Sequence, residues 1–237
     1  ATKPVSVLAF PKKTDEPTVV ILPNDVYTTV PFGYGPYRVE AVAPLAKLEK
    51  KGELLSQSIS DTLSIPVLGW ITQTAAKADE SNDLARLQNY FSWTDIFANP
   101  DLSNLKWWDR AILKWKLSRT RSLRTVNLGN YPTILQQFEL GDKTPAQRFN
   151  KDALFRILLP IFEDPDIRQE NVSVEVFNTT TTPLVGEKFA RFVSLIGGKV
   201  IGVKNDTEDV KNCKIAAQIS VANSKLVDFI RREFGCD

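Results

Sequence analysis

Residues 172–205, VSVEVFNTTTTPLVGEKFARFVSLIGGKVIGVKN, decide the fold. Val172, Val174 and Val176 alternate with polar residues, the period-two pattern of a half-buried strand. Asn178 and the threonines after it form a polar turn, and Pro183 opens a helical stretch. Gly197 and Gly198 stop that helix, and Val200, Ile201 and Val203 begin a second strand. A right-handed crossover through the helix makes the two strands parallel. The stretch has no glycine-rich phosphate loop, nucleophile or set of metal ligands, so it describes architecture and not chemistry.

Downstream, Cys213 opens a second alternating run, with Ile215, Ala217 and Ile219 on one face. This reads as a further strand. A helix follows over 223–234, with Leu226, Phe229, Ile230 and Phe234 on its apolar side. A seven-residue strand spans roughly 23 Å, and a twelve-residue helix roughly 18 Å. A helix folding back antiparallel on that strand returns Cys236 to Cys213, so the two cysteines are expected to pair, which implies an oxidising compartment. Two unrelated thiols are the alternative. The last 65 or so residues thus read as a small βαββα domain, residues 170–237, after a boundary at Glu163, Asp164, Pro165 and Asp166.

Upstream, 1–165 reads as one mixed α/β domain. Strands are expected at 5–10, 18–22, 65–71 and 124–128. Helices are expected at 38–51 (with Pro44 inside), 53–63, 106–121 and from 142 through Leu158. Residues 29–37, rich in glycine, proline and aromatics, read as a loop. An amphipathic segment lies within 73–95, and Asn99, Pro100 and Asp101 read as a turn. The fold class is α/β in the mixed α+β sense.

Composition removes several chemistries. The 237 residues include no histidine and no methionine. Serine–histidine and cysteine–histidine catalysis are therefore excluded within this chain. Any chemistry would fall to carboxylates, arginine, lysine or tyrosine, with a hard cation such as magnesium. The net charge of +2 gives no global field for nucleic acid, which is not expected as a partner. No apolar run reaches the roughly 18 residues a membrane span needs. The start at Ala1, with Thr2, Lys3 and Pro4 leading straight into a strand, is what a removed leader or anchor would leave, and equally what trimming would leave.

Two constellations carry candidate chemistry. Asp25 follows a strand and a Pro23–Asn24 break, with Arg38 and Glu40 beyond the loop. Asp25 and Glu40 can share a divalent cation, with Asp25 the candidate metal ligand. Arg38 can hold a phosphate oxygen through its planar fork. The plainer reading is a turn aspartate and a solvated helix start. The second constellation is the helix over 106–121, where Lys106, Arg110, Lys114, Arg119 and Arg121 accompany Trp107 and Trp108. Trp108, Ala111, Ile112 and Trp115 share one stripe. Cations beside tryptophan suit an anionic membrane surface or polymer. They also suit nucleic acid, through phosphate contacts and base stacking, or else the stripe packs inward and the cations form its wet face. Backbone donors at the helix start after Thr182 could take an anion, though capping alone explains the residues there.

These residues also carry a family resemblance. Val174 to Asn178 with Thr179 and Thr180, then Leu184 to Gly186, Phe189 and Ala190, Gly197 and Gly198, and the strand 200–205 together resemble the LytR C-terminal domain of bacterial envelope proteins. Residues 20–27, VILPNDVY, are similar to the strand and Pro-Arg-Asp signature of the LytR–CpsA–Psr domain. Residues 37–41, YRVEA, fall where that family has Lys-Ile-Asn-Ala. Full members of that family transfer polymer from a polyprenyl-pyrophosphate carrier to the cell wall, using arginines and aspartates around pyrophosphate and magnesium. Asp25 keeps the signature aspartate, but Asn24 stands in place of the arginine. Asparagine supplies neither the charge nor the fork that a pyrophosphate needs, and losing a donor aimed at developing charge costs orders of magnitude in rate.

The resemblance therefore implies an extracytoplasmic, membrane-anchored cell-envelope protein that has lost its transferase chemistry and needs no cofactor. Its partner would be a cell-wall polymer or an envelope protein. The alternatives are a surviving magnesium-dependent phosphotransferase built on Asp25, Arg38 and Glu40, and a peripheral membrane module built on the tryptophan-bearing helix.

Overall fold

A computed structural model describes residues 4–12, 14, 16–71, 103–207, 210 and 212–237. The chain divides into two compact units. One holds residues 1–10 and 14–154, the other 11–13 and 155–237. The division falls inside a helix.

The first unit carries two mixed sheets. Strands β1 (Ser6–Ala9), β2 (Thr18–Ile21) and β5 (Arg124–Asn127) form one, with β1 and β2 antiparallel and β2 and β5 parallel. The valines of β2 are buried, as the sequence pattern requires of a central strand. The second sheet runs β4 (Gly35–Arg38), β3 (Tyr27–Val30), β7 (Pro145–Phe149), β6 (Leu135–Glu139). Helices α1 (Val39–Leu48) and α2 (Glu53–Leu63) follow β4. Thr28 of β3 is buried, and its hydroxyl donates to the carbonyl of Ser58 at 3.2 Å and also meets the Thr62 hydroxyl. Helix α2 therefore covers the inner face of this sheet. Helix α3 (Trp107–Arg119) precedes β5, and α4 (Lys151–Phe162) follows β7.

Pro44 sits inside α1 without ending it. Three other expectations for this unit are corrected. Residues 29–37 are not a loop but the body of the β3–β4 hairpin. Its turn is closed by Phe32, Gly33 and Gly35, all with positive φ. Residues 65–71 are not a strand. Only Ile71 makes a bridge, to Ser103, because neighbouring backbone groups are taken by side chains. Val67 N–H donates to Ser60 Oγ at 2.9 Å, and Trp70 N–H donates to Asn104 Oδ1 at 2.8 Å. Residues 142–149 do not begin a helix. They turn and form β7, and Asn150 starts α4 by accepting from the N–H groups of Asp152 and Ala153 at 3.1 Å each. Of the readings left open for the tryptophan stripe of α3, inward packing is the one the burial does not match, as described below. The segment within 73–95 and the turn at 99–101 lie outside the described residues.

The second unit is built as α5 (Pro165–Glu170), β8 (Ser173–Asn178), α6 (Val185–Leu195), β9 (Lys199–Asn205) and α7 (Lys225–Phe234). Strands β8 and β9 pair in parallel, as expected for a crossover through α6. Helix α6 begins at Val185, two residues later than Pro183 suggests. Asn178 shapes the preceding turn: its Oδ1 accepts from Thr180 N–H at 3.1 Å, and its Nδ2 donates to the Thr182 carbonyl at 3.1 Å. Gly197, at φ +108°, ends the helix where a Cβ would press on the backbone of Arg168 and Asp164 at 3.1 Å. Gly186 lets α6 approach the sheet, since a Cβ there would sit 3.1 Å from both Asn178 and Val203.

The core of this unit gathers Ile167, Phe192, Val193, Ile196, Leu226, Ile230 and Cys236. Glu170 accepts from the N–H groups of Lys225 and Leu226 at 2.8 and 3.3 Å, and so fastens α5 to the start of α7. Cys213 and Cys236 form a disulfide with their Cα atoms 4.5 Å apart. The strand expected over 213–219 is absent. Its backbone finds no neighbouring strand among the described residues: Cys213 and Ile215 hydrogen-bond with Asp237, and the Gln218 carbonyl accepts from Val221 N–H in a turn. Ile219 is 96% exposed, so the alternation there buries nothing beyond a partly covered Ile215.

Candidate functional site

The outer face of the β4–β3–β7–β6 sheet places one row of side chains side by side. Arg38 pairs with Tyr27, Tyr27 with Arg148, and Arg148 with Gln136 across the four strands. Residues level with one another on neighbouring strands project to the same side. Two guanidiniums thus flank one phenol.

Each is held differently. Arg38 ends β4 immediately before α1, with its guanidinium 5.9 Å from the Tyr27 ring centroid and its Nη1 3.9 Å from Glu40 Oε1. Hydrogen bonding with the Tyr27 side chain, supported by Glu40 and Asp25, raises its pKa above the ordinary guanidinium value against a small opposing effect of burial. Arg148 lies over Phe138, 5.2 Å from the ring centroid. With its carboxamide oxygen turned to that guanidinium, Gln136 accepts from Arg148 Nε at 2.6 Å and Nη2 at 3.1 Å. Tyr27 meets Phe138 edge to face at 6.0 Å. The result is a continuous cation–aromatic layer.

An open groove of about 260 Å³ runs beside this layer, lined by Asp25, Tyr27, Arg38, Gln137, Pro145, Ala146 and Gln147. Asp25 and Arg38, candidates from the sequence, are both in its wall. Glu40 is not. It stands in the first turn of α1 beside Arg38, and its N–H bonds the Asn24 carbonyl at 3.2 Å, which docks the Asn24–Asp25 turn on the helix start. Among the described residues no group of three or more acidic or cysteine side chains gathers to hold a metal ion. Among the described residues Asp25 is the single carboxylate of the groove wall. Magnesium is usually held by one or two carboxylates together with substrate phosphates, so Asp25 fits that ion only in company with a phosphorylated ligand. What the groove can do unaided is offer a charged fork, a phenol and amides to an anion.

Tyr27, Phe138, Gln136 and Arg148 are absent from the sequence-derived set. The helical spacing over 142–158 conceals Arg148, which lies on β7. The signal that reveals it is Asn150, whose capping role sets the helix start one residue later and leaves PAQRF free to be a strand.

The second constellation is arranged the opposite way from an inward-packed stripe. Arg110 and Leu117 are the buried positions of α3, while Trp107, Trp108, Ile112 and Trp115 are each about half exposed. Lys106 Nζ stands 5.0 Å from the Trp108 ring, and the Arg119 guanidinium 4.0 Å from that of Trp115. Lys114 is on the same helix, and Arg121 lies just past its end, exposed.

No protein-family profile matches the chain, and no curated protein matches it. Solved structures similar to it include Bacillus subtilis TagT, at TM-score 0.40 and 11% identity over 65% of this chain and 82% of that one. Another is a LytR-CPS2A-psr family protein, YwtF (TagT), with bound octaprenyl pyrophosphate lipid, at TM-score 0.41 and 11% identity over 65% and 81%. B. subtilis TagU is similar at TM-score 0.34 and 13% identity over 65% and 94%. Likenesses this distant assign neither family nor activity.

Proposed function

We propose that this is a non-catalytic, extracytoplasmic protein of the cell envelope whose groove binds a phosphate-bearing envelope polymer or the pyrophosphate of its lipid carrier. The observation that carries the reading is Arg38, at the strand-to-helix junction beside Tyr27 and Glu40 and in the groove wall. A fork held in place loses less rotamer freedom on meeting a phosphate than a free one. Among the described residues only that cation lines the groove beside a carboxylate, which suits recognition of an anion better than stabilisation of a transition state with several developing charges. The Cys213–Cys236 disulfide fits an oxidising, extracytoplasmic compartment.

Calorimetric titration with farnesyl pyrophosphate, a short soluble carrier, tests this. Arg38→Ala should weaken binding by at least about tenfold, the worth of one charge-assisted hydrogen bond. Unchanged affinity in that variant refutes the assignment of the groove.

One observation favours a second reading, a surviving phosphotransferase. Arg148 lies on the same face as Arg38, one strand beyond Tyr27. Released from Gln136 and Phe138, it would add a second guanidinium, with Asp25 available to a phosphate-bound magnesium ion. That reading requires Arg148→Ala to abolish turnover.

A further inference from the structure

Helix α3 carries a surface that the groove does not use. At 100° per residue, Trp108, Ile112, Trp115 and Arg119 fall on one face, and Arg110 and Leu117 fall on the opposite one. Burial follows that division: Arg110 is 8% and Leu117 1% exposed, against 45% for Trp108, 53% for Ile112 and 49% for Trp115. Trp107, at the helix start and to the side of that face, is 52% exposed and meets Trp108 edge-on at 5.6 Å. A helix in water normally turns its indoles inward, so two indoles and an isoleucine half exposed along one face of a helix mark an interaction surface.

Charge identifies the occupant. Residues 106–124 hold seven cations, Lys106, Arg110, Lys114, Lys116, Arg119, Arg121 and Arg124, against one carboxylate, Asp109. The segment nets +6 while the whole chain nets only +2, so the remainder is net negative at −4. The cations are also interleaved with the rings. Lys106 stands over Trp108, Arg119 stacks on Trp115, and Lys116 lies 5.1 Å from the Phe10 ring. Indoles settle at the headgroup level of a bilayer with their apolar bodies in the acyl boundary, and lysine and arginine beside them meet lipid phosphates. We infer that α3 docks the protein in-plane on an anionic lipid surface, with Trp108, Ile112 and Trp115 inserted and Lys106 and Arg119 at the phosphates. The helix is 13 residues long, and among the described residues none is long and apolar enough to cross a membrane, so the contact is peripheral.

The test uses the full chain and sedimentation with phosphatidylcholine vesicles, with and without about 30% phosphatidylglycerol. The wild type should sediment with the anionic vesicles at low salt and lose most of that binding near about 0.5 M salt. Trp108→Ala/Trp115→Ala should reduce partitioning at least about tenfold, while its circular dichroism and urea midpoint, compared with wild type, report folding. Brominated lipid supplies a readout that needs no variant, because it quenches only indoles that enter the bilayer. Quenching in anionic vesicles supports the inference. Absence of sedimentation, sedimentation without quenching, or retention of full binding by the double variant overturns it. Salt-sensitive binding to heparin or nucleic acid that exceeds vesicle binding overturns it too, in favour of a soluble polyanion.

Discussion

Asp164 shows how much one side chain in this protein is asked to do. It caps α5 through the Asp166 N–H at 3.0 Å and accepts a hydrogen bond from Lys12 Nζ at 2.7 Å. Burial pushes its carboxyl up, but Lys12 and the N–H groups of Asp166 and Ile167 outweigh that, and the pKa lies below the ordinary carboxylate value. A folded-state pKa lowered in this way stabilises the fold above the unfolded carboxylate pKa near 3.9, and that stability is lost as pH falls through the folded value. Asp164→Asn keeps the cap and removes the charge. Urea unfolding at pH 7 and pH 3 should therefore show a smaller acid-side loss in the variant than in the wild type. Equal losses would place the acid sensitivity elsewhere. At this scale the sequence was partly legible. Asp25 and Arg38 could be picked out because they follow a strand and a loop, whereas Tyr27 and Arg148 become neighbours only through strand register, which no local pattern encodes.

Elements were readable where periodicity and punctuation agree. The valine alternation of β8, the stop at Gly197 and Gly198 and the parallel return of β9 form as the residues imply. Gly197→Ala tests the stop. At φ +108° a Cβ is strained and meets backbone on two sides, so the variant should lose about 1–3 kcal/mol in chemical denaturation. A loss below a few tenths would mean the turn relaxes freely. Elements failed to be readable where alternation lacked a partner or a turn looked like a loop. Residues 213–219 alternate as a strand should, yet without a neighbouring strand the ladder does not form, and the disulfide fixes the segment to α7 instead. With its cysteines 23 positions apart, reduction should cost about 3 kcal/mol. A thermal scan with and without dithiothreitol checks this, and an unchanged midpoint would show that the 213–236 loop is held by packing alone. The β3–β4 hairpin was hidden by glycine, proline and aromatics, which serve a tight turn as well as an irregular loop.

At the level of the whole molecule, the mixed α+β class was legible because strand and helix periods alternate through the chain. What the sequence does not expose is how charge and aromatic rings are apportioned to surfaces. The chain is almost neutral, yet it concentrates cations on 106–124 and single guanidiniums on one sheet face. Burial separates tryptophans packed as core from tryptophans left at the surface, and on α3 the three rings are each about half exposed. The central claim, that the groove holds a phosphorylated envelope ligand without transforming it, is tested most directly by following phosphate release from a polyprenyl-pyrophosphate substrate with magnesium. The account predicts binding with no release above the rate without protein, for the wild type and Asp25→Ala alike. Release by the wild type that Asp25→Ala abolishes would contradict it.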